Sequence, residues 1–86
     1  MIKLNETTAE TLLNSLQGIY NFDWFRDSVK VHFYMNNKTI ESYVCSNYTM
    51  NNMGAYLLSK TIKAFEYKAN PCDKYTEIDI TIILNN

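Results

Sequence analysis

His32 is the only imidazole of this chain, and Cys45 and Cys72 are its only thiols, so nucleophile-and-base chemistry has few places to sit. Such chemistry needs a reactive group oriented by partners. His32 stands on an alternating segment, and Cys45 falls on the outward side of the segment that follows. A turn around Asn37 places Tyr43 near His32, Cys45 near Lys30, and Glu41 near Phe33 or Tyr34. A Cys–His couple across two strands is sterically open, yet a histidine on a half-exposed sheet reads more simply as a surface residue. Glu77 and Asp79 sit two apart on one strand and point the same way, as solvated-face carboxylates commonly do. No nucleophile elbow, H-E-x-x-H pair or phosphate-cradling loop is present, and two glycines could not build such a loop. No His or Cys pair has ligating spacing, so neither a metal nor any other cofactor is expected. The enzyme reading therefore loses.

Composition narrows the rest. The chain has 86 residues, 47% of them apolar and 20% charged, with two Gly and one Pro, which describes one globular domain over residues 1–86. No run of eighteen apolar residues occurs, so no membrane span is expected. The N-terminus lacks a basic stretch followed by an apolar core, which predicts a cytoplasmic protein with two reduced thiols rather than a disulfide. Eight Lys+Arg against nine Asp+Glu give a net charge of −1, too little for a general nucleic-acid footprint. Asn, Ile, Lys and Tyr supply 33 of the residues and Lys outnumbers Arg seven to one, a codon bias that points to a low-GC bacterium, its phages or its plasmids.

The elements that must position these residues can be read from periodicity. Thr7 and Glu10 fit a capping box, and Ala9, Leu12, Leu13, Leu16 and Ile19 make an apolar stripe, predicting a helix over 7–20. An irregular segment follows at 21–27. Residues 28–35 alternate, with Val29, Val31, Phe33 and Met35 inward and Lys30, His32 and Tyr34 outward. After a turn at Asn36–Asn37–Lys38, the return strand runs over 39–46 with Ile40, Ser42 and Val44 inward and Glu41, Tyr43 and Cys45 outward. Asn51 or Asn52 caps a second predicted helix whose stripe is Met53, Leu57, Leu58, Thr61, Ile62 and Phe65, ended at Asn70–Pro71. The last strand, 75–84, turns Ile78, Ile80, Ile82 and Leu84 to one face. The expected fold is a two-layer α+β sandwich of order α-β-β-α-β. Its three-stranded antiparallel sheet has order 2-1-3, with two helices on one face. A parallel last strand against the second is the alternative.

Seven tyrosines exceed what one small core readily hides, and tyrosine suits protein interfaces. A base-stacking nucleic-acid platform is disfavoured, because Glu41, Glu77 and Asp79 would share that face with Lys30 alone. The acids and aromatics instead suggest a protein-binding surface of Tyr34, Glu41, Tyr43, Tyr75, Glu77 and Asp79 on the sheet, with Asp23, Trp24 and Asp27 beside it. By elimination, the expected function is a non-enzymatic, phage- or mobile-element-encoded inhibitor. Its partner would be a host protein, a nucleic-acid-binding defence effector of the CRISPR class. An immunity protein or antitoxin facing a basic toxin, or a dimeric structural or regulatory module, is the alternative. The last strand, read as an exposed edge rich in Ile and Thr, further predicts a homodimer through that strand unless Ile2 and Leu4 cover it.

Overall fold

The computed structural model describes residues 2–45, 57 and 60–85, without the side chains of Ile2, Glu6 and Cys45. Its elements are β1 (Ile2–Lys3), α1 (Glu6–Tyr20), β2 (Ser28–Met35), β3 (Lys38–Cys45), β4 (Thr61–Pro71) and β5 (Thr76–Leu84). The general α+β class holds, but the layers differ from expectation: among the described residues one helix packs on a mixed sheet of order β1-β4-β5-β2-β3.

Asn5, not Thr7, caps α1. Its side chain accepts from the Thr8 backbone N–H at 2.9 Å, and the Thr8 hydroxyl accepts from the Asn5 N–H at 2.9 Å. The helix ends on Asn21, which enters the left-handed region at φ 56° as asparagine readily does. Ala9, Leu13 and Leu16 pack on Val31, Phe33, Ile80 and Ile82 in one core with Leu4 and Leu57. Ile19, the last residue of the predicted stripe, is 70% exposed.

The largest correction is at residues 61–71, expected to complete a second helix and observed as β4. Its core-facing side carries Ile62, Phe65, Tyr67 and Ala69, opposite Leu84, Ile82, Ile80 and Ile78. A bulge between Ile62 and Ala64 inserts Lys63, so that Ile62 and Phe65 share a face three residues apart. That spacing imitates a helical stripe. The remainder of the segment alternates as a strand should, with Glu66, Lys68 and Asn70 on the other side. The expected cap at Asn51 or Asn52, and Met53 and Leu58, lie outside the described residues.

β4 also changes the sheet. β5 runs parallel to β2 rather than antiparallel to it and is antiparallel to β4 on its other side. The last strand is therefore internal, and the unpaired edge on which a dimer through it depended is absent. Ile2 and Lys3 do form a short strand, but it pairs with Ile62 and Thr61 of β4.

The β2–β3 hairpin closes through Asn36 and Asn37, both at positive φ, between the pair Met35 and Lys38. Continued without interruption, that register sets Ile40, Ser42 and Val44 against Phe33, Val31 and Val29, the inward set predicted. A register shift beside Phe33 and Tyr34 instead brings Glu41 opposite Phe33, Ser42 opposite His32 and Tyr43 opposite Val31. One extra residue turns the rest of a strand over. Val44 is consequently 77% exposed, while Tyr43 sits half-buried with its ring edge-on to Phe33.

Candidate functional site

The face of the sheet opposite α1 carries no covering element among the described residues. Ladder register arranges its side chains in rows that cross the strands. One row is Val44, Lys30, Asp79, Lys68; the next is Ser42, His32, Thr81, Glu66. Beyond it lie Tyr34 and Ile83, and on the near side Glu77 and Asn70.

His32 ties the two central rows together. Its Nδ1 lies 2.7 Å from the Ser42 hydroxyl and its Nε2 lies 2.8 Å from a carboxylate oxygen of Asp79. Three neighbouring strands are thereby bridged through one imidazole. Sequence reasoning paired His32 with Tyr43 and Cys45 and passed over Ser42, because it did not place the bulge. The signal that could have found it is the hairpin register itself, since directly opposed residues share a face.

The Ser42–His32–Asp79 chain has the composition of a nucleophilic triad. What the triad needs in addition is a pair of donors aimed at the developing oxyanion. β2 and β5 are each paired on both sides, so the backbone N–H groups around His32 and Asp79 belong to ladders. The surface beside Asp79 holds a depression of about 530 Å³ lined by Glu66, Tyr67, Lys68, Asp79 and Thr81. The arrangement orders a polar surface across β3, β2 and β5.

The expected interface residues do not share one face. Tyr34, Glu77 and Asp79 lie on the open face, where Lys30 and Lys68 flank Asp79 on both sides. Glu41 and Tyr43, expected outward, are on the helix side, where the Tyr43 hydroxyl donates to the Glu41 carboxylate. Tyr75 lies in the bend before β5, 41% exposed, where the neighbouring Cys72 thiol, with Glu77, raises its phenol above the ordinary value. Cys72 is a free thiol; the side chain of Cys45 lies outside the described set.

The 23–27 turn has an internal task. Asp23 accepts from the backbone N–H groups of Arg26 at 3.1 Å and Phe25 at 2.8 Å, which holds its carboxyl below the ordinary value. Trp24 packs edge-on against Phe22 with ring centroids 4.8 Å apart. Asp27 is the one buried charged residue among those described. It receives the Arg26 guanidinium at 2.9 and 3.0 Å and the backbone N–H groups of Asp23 and Thr76, each at 2.9 Å. The guanidinium and these N–H groups hold the Asp27 carboxyl well below the usual carboxylate range. Asp27 thus pins the turn to the start of β5 and presents no carboxylate to a partner.

Among the described residues, no helix is long and apolar enough to cross a membrane. No family model, curated protein or solved structure matches the chain.

Proposed function

We propose that this protein is a small, non-enzymatic inhibitor that acts in the cytoplasm by binding a host defence nuclease of the CRISPR class, and that a phage or mobile element of a low-GC bacterium encodes it. The observation that supports this reading is the open sheet face, ordered by His32 between Ser42 and Asp79. Side chains already held by one another lose less freedom when a partner docks, so more of the contact energy appears as affinity. Tyr34 supplies an amphipathic anchor at one end of the face, and Glu77 and Asp79 supply carboxylates suited to the basic groove that grips nucleic acid in such an effector. The backbone of β2 and β5, held in ladders on both sides, supports binding rather than turnover.

The test is a DNA-cleavage assay with purified RNA-guided nucleases of low-GC bacteria, titrated with this protein. Cleavage is expected to stop near equimolar ratio without loss of the inhibitor. The triple variant Tyr34→Ala, Glu77→Ala, Asp79→Ala should lose inhibition by tenfold or more, on the order of 1.4 kcal/mol, while remaining folded. Undiminished cleavage at every ratio, or full inhibition by the triple variant, removes the assignment.

A further inference from the structure

β4 is an edge along most of its length. β1 occupies its outer side only at Thr61 and Ile62, and no other strand among the described residues pairs there. Residues 63–71 are left with an unpaired side, and the middle of that stretch is Tyr67.

Edge strands usually carry charges that repel a second strand. The charges here have the opposite property. Glu66 and Lys68 lie on either side of Tyr67, both exposed and both on the open face, with no ion-pair partner among the described residues. When the strand meets a copy of itself antiparallel, with the two-fold axis at Tyr67, Glu66 stands opposite the partner's Lys68 and Lys68 opposite the partner's Glu66. On the helix side, Phe65, 43% exposed, stands opposite the partner's Ala69, a large residue against a small one. The match extends to length, since in this register Pro71 ends the incoming strand beside Lys63, next to where β1 begins. Phe65 also lines an apolar groove of about 530 Å³ between α1 and β4, with Leu12, Ile62 and Ala64. A two-fold axis perpendicular to the sheet puts both grooves on the same face, each beside residues 69–71 of the other copy.

We infer that β4 is a self-recognition edge: two copies of the chain pair antiparallel through residues 63–71, centred on Tyr67 and held in register by two Glu66–Lys68 ion pairs. The inference stands apart from the proposed inhibitor activity, which uses Tyr34, Glu77 and Asp79.

Light scattering and sedimentation at high micromolar concentration test it. Wild type should have twice the mass of one chain. Glu66→Lys and Lys68→Glu each set like charges against one another, and each should weaken association at least tenfold. The double variant Glu66→Lys, Lys68→Glu restores both pairs with reversed polarity and should recover the dimer. Lys68→Glu also faces Asp79 across the ladder, so each variant is compared well below its own melting temperature. A monomeric wild type, or single variants that associate as well as wild type, overturns the inference. A double variant no better than the singles overturns the register.

Discussion

Asp27 shows how a single side chain can hold a junction that hydrophobic packing leaves loose. The 21–27 segment contributes only Phe22 to the buried apolar core, yet the Asp27 carboxylate gathers two backbone N–H groups and a guanidinium. Removing it strands those donors, and Asp27→Ala should cost roughly 2–4 kcal/mol in urea unfolding. Arg26→Ala should cost less, because the carboxylate keeps the backbone N–H donors of Asp23 and Thr76 and the partly exposed guanidinium leaves a site that water can enter. Since the folded carboxyl titrates below the unfolded one, its contribution is complete above about pH 4 and falls away as pH drops through the folded value. Urea midpoints between pH 6 and pH 2, taken as an order-of-magnitude range, should therefore decline less steeply below about pH 4 in Asp27→Asn than in wild type. Equal slopes would remove Asp27 as the acid-sensitive group. The open-face histidine is a different case. His32→Gln and Ser42→Ala should each move stability by no more than about 1.5 kcal/mol, because water can replace exposed hydrogen bonds.

Two bulges set which side chains each edge of the sheet presents. The shift beside Phe33 and Tyr34 turns Val44 out and Tyr43 in, against the simple alternation of the hairpin. Val44→Thr should consequently leave stability within about 0.5 kcal/mol of wild type, while Tyr43→Ala should lose roughly 1–3 kcal/mol. The reverse order in thermal melts would mean that the strand faces the other way. In β4 the extra residue Lys63 brings Ile62 and Phe65 into phase with Leu84 and Ile82. A β-branched and aromatic strand thus acquires a helical spacing at its start without becoming a helix.

A sheet with β5 and β2 at its centre distributes stability unevenly. Both strands are paired on each side and contribute Val29, Val31, Phe33, Ile78, Ile80 and Ile82 to the core. Ile80→Ala should cost roughly 2–5 kcal/mol as a cavity in this layer. Amide exchange should be slowest for residues 29–33 and 78–82 and faster along β3, whose outer side has no strand partner among the described residues. Protection in β3 equal to that of β5 would show that the whole sheet opens as one unit. Among the described residues one helix packs on this sheet, and Phe65 is exposed on the helix side.

Local sequence determined the first helix, the first strand of the hairpin with its asparagine turn, and the buried face of the last strand, because each of these segments carries an uninterrupted period. The inward set Val29, Val31, Phe33, Ile78, Ile80 and Ile82 followed from alternation alone. The strand at 61–71, the outward turn of Ser42 and Val44, and the bridge from Ser42 through His32 to Asp79 did not. Each depends on one inserted residue or on a partner far along the chain. A period measured along one segment contains no information about a bulge that only the neighbouring strand defines. Likewise, Asp27 resembled a surface acid until the start of β5, 49 positions later, brought it the Thr76 N–H. Pairing across the sheet, not propensity within a segment, decided these features, because ladder hydrogen bonds and core burial are satisfied jointly by strands that are distant in sequence.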